Sequence, residues 1–446
     1  ISKKYDLENP EATIDLVSVA QDPLIYYSLL KCTLPDPYVE EFITLLRQTI
    51  LLETLETGNL RDELQVLAIA IGVYNERNNY SLITDTLEDE KVNYLDQLLI
   101  HTLHHEWQVE DIVGALMVVG MYQAFFSQNY AVKLTAVDLA QWPSAIQPLM
   151  ESALYRRANR EAYKQQFPEK KETLLLSKED LPAPFPRWHN LDFFNQQSLK
   201  QELINNFHLN ETTLPERLLL LVAGKNAAQR AFEYAHHFND VDILAVESNL
   251  ENLAECHLRA TEENLSNVVF WPNSLAERFL KDGNTIHFAS ISHDSKLTTP
   301  LFMELVESNL CKDGILNIKI TETVDTASAD IRELVSKQDL QNTTENIKAL
   351  RSTILSDKDS VYWSNLIHEE YFYSIDGCRE VWFNHSNDKA FLAKVNRLAK
   401  QANWSLSKVL NHYGKTISTT LAEKNLQKIA KESSAHSDYS LYFVKQ

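Results

Sequence analysis

Glycine occurs only nine times in 446 residues, far below the average of about 7%. Few positions can therefore supply the glycines on which phosphate- and cofactor-cradling loops usually depend. Cysteine is equally sparse. Cys32, Cys256, Cys311 and Cys378 stand far apart without C-x-x-C spacing, which points to reduced thiols and excludes a disulfide framework or a cysteine zinc site. No apolar run reaches the roughly 18 residues that cross a bilayer, so no membrane partner is expected. No signal-peptide core follows Ile1-Ser2-Lys3-Lys4-Tyr5-Asp6, which points to a cytoplasmic location, while a start without Met leaves room for upstream residues. Basic residues are in deficit too. Their 42 stand against 62 acidic ones, a net charge of −20, which repels a polyphosphate backbone and argues against a nucleic-acid partner.

What remains is an ordinary globular composition, 44% hydrophobic and 23% charged, on a chain long enough for two or three structural units. From about Asp22 to Phe167 apolar residues recur at helical spacing, as in Val39, Phe42, Leu45, Leu46 and again Leu64, Leu67, Ala68, Ile71. Asp22-Pro23 and Asp36-Pro37 have the form of a capping Asp with Pro at the first helical position. An all-α domain is expected over 1–167. Residues 168–195 turn charged and then proline-rich, with Pro182, Pro184 and Pro186 excluding helix; this stretch is expected to be a linker or draped arm.

From 196 onward short apolar runs alternate with helical patterns. Leu218–Val222, Ile243–Val246, Val268–Phe270, Ile286–Ala289 and Ile315–Ile318 are continuous runs of the kind buried on both faces of a parallel sheet. Their alternation with helices predicts an α/β, doubly wound, mostly parallel sheet over 196–446. A helical insert is expected at about 325–370, with Tyr439–Val444 closing the chain as an edge strand.

In such sheets ligands bind beyond the carboxyl ends of the strands, closest to the first strand-to-helix turn. Here that turn is Ala223-Gly224-Lys225-Asn226-Ala227-Ala228-Gln229. Against a G-x-G-x-G pattern it keeps Gly224 and puts Asn226 and Ala228 where glycines would stand. Asn tolerates positive φ and Ala is a small change, so the turn can form, although added side chains narrow a ligand's approach. The competing reading is an ordinary turn with Gly224 for geometry. Glu247, 23 residues after Gly224 at the end of the second strand, can accept hydrogen bonds from both hydroxyls of a ribose. Its competing reading is a solvated carboxylate capping the next helix. His101, His104 and His105 lack H-E-x-x-H order, and no metal site is expected.

Three stretches carry a resemblance. Ala183-Pro184-Phe185-Pro186-Arg187-Trp188, Phe372-Tyr373-Ser374-Ile375-Asp376-Gly377-Cys378-Arg379-Glu380 and the terminal Ser440-Leu441-Tyr442-Phe443-Val444-Lys445 resemble segments of bacterial class I S-adenosylmethionine (SAM)-dependent methyltransferases. Those enzymes often carry tetratricopeptide or other helical N-terminal regions, and they read N-P-Y-P-R-W, F-Y-S-x-x-x-C-R-D and a last sheet strand at these places. The resemblance covers about 180–446 and implies a Rossmann-like fold, SAM as cofactor, and a site at Gly224, Asn226, Ala228, Glu247 and Ser274. It also implies Arg187, Tyr373 and Arg379 as candidate pocket-lining residues, for which packing is the equal alternative. The departures gather where SAM would sit: the family has glycines at 226 and 228, an acidic residue near 274 and a His-rich loop where this chain has Ser290-Ile291-Ser292-His293-Asp294. Ser274 can hydrogen-bond but brings no charge.

Two functions follow as expectations. One is methyl transfer to a small-molecule, peptide or protein acceptor, a reaction governed by alignment that leaves no universal catalytic side chain to name. The other is a non-catalytic pseudo-methyltransferase, a scaffold or regulatory subunit. With either, the helical domain is expected to bind a protein or peptide partner.

Overall fold

The computed structural model describes residues 15–168, 183–184, 196–294, 296–320, 326–383, 397, 404–411, 416–417 and 439–445. The chain divides into two compact units. The first takes its residues from 1–162, 173–189 and 330–384, and the second from 163–172, 190–329 and 385–446. The proline-rich stretch expected as a linker lies outside the described residues except at 168 and 183–184.

The first unit is helical. Its longer helices are Pro23–Lys31, Pro37–Thr57, Asp62–Arg77, Thr86–His104 and Val109–Val119. Asp22 accepts from the Leu24 amide, and Asp36 from those of Tyr38 and Val39, so each Asp-Pro pair starts a helix by satisfying otherwise orphaned donors. Leu46, Ile50, Leu67, Ala68, Ile71, Leu116 and Leu149 are buried in one shared core. The helices that the sequence places as an insert are Thr326–Lys337 and Thr344–Ser356, and residues 330–384 cluster with the first unit. Arg351 holds them there. Fully buried, it donates from Nη2 to Glu40 Oε2 at 2.7 Å, from Nε to the Phe372 carbonyl at 2.6 Å, and from Nη1 to the Ser81 carbonyl. Ser81 Oγ donates in turn to the Tyr373 carbonyl, and Asn79 Nδ2 to Asp376.

The second unit is built on strands β1 Leu218–Ala223, β2 Val241–Val246, β3 Val268–Trp271, β4 Ile286–Ser292, β5 Leu310–Ile320, β6 Trp404–Asn411, β7 Thr416–Ile417 and β8 Tyr439–Lys445. They form one sheet in the order β3-β2-β1-β4-β5-β8-β6-β7. The first five are parallel neighbours, and β8 runs antiparallel to both β5 and β6. This is a Rossmann-like arrangement, doubly wound and mostly parallel. The terminal strand is a correction to the sequence reading, which placed it at the edge: it lies inside the sheet, because β6 and β7 add beyond it. On one face Leu221, Ala289, Leu316 and Leu441 pack with Ala276, Leu280, Phe302 and Val306 of helices Asn273–Lys281 and Pro300–Asn309. Helix Ala227–His237 packs on β1 and β2 and helix Leu250–Glu262 on β3, while Phe207 of helix Leu199–Phe207 lies against Tyr442 of β8.

Candidate functional site

The carboxyl ends of β1, β2 and β4 meet at the first strand-to-helix turn. Gly224 leaves β1 with φ +95° and donates its N–H to the Val246 carbonyl. A Cβ built on it would fall 1.8 Å from the Ser292 carbonyl oxygen. The backbone at the end of β4 therefore fills the space that a side chain would need. Asn226 follows with φ 56° as the cap residue of helix Ala227–His237, a left-handed conformation that Asn adopts more readily than other side-chain-bearing residues.

Glu247 stands one residue past β2 and is 3% exposed. Its Oε2 accepts from the Ala228 amide at 3.0 Å and its Oε1 from Asn252 Nδ2 at 2.7 Å. The solvated-cap reading is thus replaced: Glu247 is buried against the first turn of the preceding helix, while Asn249 caps the next helix by accepting from the amides of Glu251 and Asn252. Burial pushes its carboxyl up to about 7, with the bonds from Ala228 and Asn252 opposing the shift. An acid raised in the folded state holds more protons than when unfolded. The second unit should then be most stable below the ordinary carboxylate range and lose stability as pH rises towards 7. Glu247→Gln is expected to flatten this slope by about 2–3 kcal/mol between pH 4.5 and 7.5 in urea unfolding. Equal slopes in parent and variant would rule out the buried carboxyl as its source.

Because β1 lies between β2 and β4, the loops after those two strands meet over its end. Ser248 Oγ donates to Asp294, whose Oδ1 also accepts from the amides of Lys296 and Leu297. Ser274 is exposed in the first turn of helix Asn273–Lys281.

Arg187 is outside the described residues. Tyr373 and Arg379 belong to the first unit. Tyr373 is buried with its hydroxyl donating to the Ile367 carbonyl at 2.6 Å, and burial pushes its phenol well above the ordinary range. Arg379 reaches Asp376 at 3.0 Å, Thr344 Oγ1 at 3.2 Å and Asn342 Oδ1 at 3.1 Å. Among the described residues, no group of three or more His, Cys, Asp and Glu is placed to hold a metal.

Sequence reasoning missed Arg230. Its guanidinium turns back under the turn, donating from Nη2 to the Ala223 carbonyl and from Nη1 to Ser290 Oγ, both at 3.1 Å. It missed Asn252 as well, the second partner of Glu247. The available signal was a polar residue inside a buried strand run, Ser290 in β4 and Asn317 in β5, since such groups demand partners.

No family model and no curated protein matches the chain. Solved structures align with part of it. PKMT2 from Rickettsia typhi aligns at 13% identity and a TM-score of 0.36, covering 55% of this chain and 52% of that one. Precorrin-6y C5,15-methyltransferase from Geobacter metallireducens GS-15 aligns at 11% identity and TM-score 0.28, covering 55% and 87%. A SAM-dependent methyltransferase from Aquifex aeolicus aligns at 9% identity and TM-score 0.27, covering 56% and 90%. This chain thus spans about half the length of PKMT2.

Proposed function

We propose that the second unit is a methyltransferase-type Rossmann domain kept as a non-catalytic module, a pseudo-methyltransferase whose cofactor site is closed by its own residues. The observation that carries this is Glu247. Both of its oxygens are already bonded inside the protein and its carboxyl is buried. Each oxygen keeps a second lone pair, but at 3% exposure a ribose reaches it only by opening the site, and drawing Glu247 away from Asn252 or the Ala228 amide would leave a buried donor unpaired at about 1–3 kcal/mol. The Ser248–Asp294 bridge across the end of β1 and the uncharged Ser274 support the same reading.

Protein association through the helical unit is the activity that fits such a module. Leu87, Tyr94 and Leu98, exposed by 59, 58 and 45%, follow one side of helix Thr86–His104 and offer apolar contact to a protein or peptide.

A second reading, SAM-dependent methyl transfer, is favoured by the intact left-handed turn at Gly224 and Asn226 beside Glu247. Calorimetric titration with SAM and with S-adenosylhomocysteine separates the two. The closed site predicts no binding tighter than about 1 mM; micromolar binding of either would overturn it in favour of an enzyme.

A further inference from the structure

Ser290 and Asn317 break two apolar strand runs, and they are register partners on adjacent strands β4 and β5. Buried polar groups of this kind are costly unless bonded. Ser290 is satisfied: its Oγ accepts from Arg230 Nη1 at 3.1 Å and donates to Asn317 Oδ1 at 3.3 Å. Asn317 is 1% exposed, and its Nδ2 has no acceptor among the described residues.

Among the described residues Arg230 makes no ion pair in the same place, Glu247 and Glu233 acting on it only from a distance. Its remaining hydrogen bonds go to main-chain carbonyls of Ala223, Lys225 and Asn226. Burial pulls its guanidinium below the ordinary value, and the groups opposing that shift are Tyr234, Glu247 and Glu233. The two carboxylates are engaged elsewhere, Glu233 with Gln229 Nε2 at 3.0 Å and Glu247 with Ala228 and Asn252. Next in the row, β8 sets Tyr442 in register with Asn317.

We propose that Arg230, Ser290 and Asn317 form a binding site for a small carboxylate on this face of the sheet. One carboxylate oxygen accepts from Asn317 Nδ2, and the anion forms the ion pair that Arg230 does not make among the described residues. A water molecule would satisfy the amide but not the guanidinium. A phosphate dianion fits less well, because Glu247 and Glu233 already place negative charge nearby and a second charge adds to the desolvation cost. The site does not depend on whether SAM binds.

Titration of the full chain with ¹³C-labelled acetate tests it, at ionic strength held constant with chloride. Saturable broadening of the acetate line is expected with an apparent Kd of about 1–10 mM. The side-chain amide signals of Asn317 should shift with the same midpoint, which locates the site without any variant. Asn317→Asp keeps the shape but replaces the donor with a carboxylate that pairs with Arg230; it should weaken acetate at least tenfold, as should Asn317→Leu. Absence of saturable broadening in the parent, Asn317 amide signals that do not move, or unchanged affinity in the folded variants would each overturn the proposal.

Discussion

Arg351→Met should destabilise the helical unit by about 3–5 kcal/mol, the cost of leaving a buried charge without its partner. Against a typical total of about 5–15 kcal/mol, that is a large fraction of the unit's stability. Glu40 is 4% exposed, and burial raises its carboxyl above the ordinary value against the opposing pull of Arg351 and then Arg47. Met fills much of the same volume but leaves Glu40 and the carbonyls of Phe372 and Ser81 without the guanidinium. The pH dependence gives the loss its signature. Without Arg351 the folded state takes up a proton on Glu40 more readily, so the defect should shrink below the ordinary carboxylate range and widen as pH rises. Adding Glu40→Gln should recover part of the stability at pH 8. Urea unfolding at pH 4.5 and pH 8 measures all three proteins; a single-variant loss under about 1 kcal/mol at pH 8 would mean that the ion pair does not hold residues 330–384 to the helices.

Gly224→Ala should cripple the second unit. Two costs combine at this position. A side-chain-bearing residue is strained at φ +95°, worth about 1–3 kcal/mol. The new methyl would also sit 1.8 Å from the Ser292 carbonyl oxygen and 2.7 Å from its carbon, and Ser292 is backbone of a strand paired with β1 and β5 on either side. Moving it disturbs both pairings, adding about 1–3 kcal/mol of overpacking. Gly283 supplies the control, since it has φ +80° and nothing within 4 Å of the place its methyl would take. Gly283→Ala should show the strain alone. If Gly224→Ala proves no more harmful than Gly283→Ala in thermal unfolding, the end of β4 does not press on the turn.

The parallel core was legible because its strands, the edge strand β3 with its exposed Val269 apart, are buried on both faces and so read as unbroken apolar runs, from Leu218–Val222 to Ile315–Ile318. β6 was missed. Its apolar residues Trp404, Leu406 and Val409 lose strict alternation at the register shift between Leu406 and Lys408. With β6 unseen, nothing local could move β8 in from the edge. The site was half legible in the same way: the position of Glu247 after β2 follows from the strand run, but the state of its carboxyl does not.

Sequence alone therefore determined what depends on near neighbours: the Asp-Pro helix starts at Asp22 and Asp36, the five buried strands, and the turn at Gly224 and Asn226. Tertiary structure decided what depends on distant partners. Glu40 and Arg351 lie 311 positions apart, and no periodicity announces that they share one buried bond. Likewise the sequence places Glu247 at the end of β2, and only the fold brings the Ala228 amide and Asn252 Nδ2 to its two oxygens. The physical reason is that apolar patterning reports how each segment meets water, whereas the pairing of a buried polar group depends on which other segment arrives beside it.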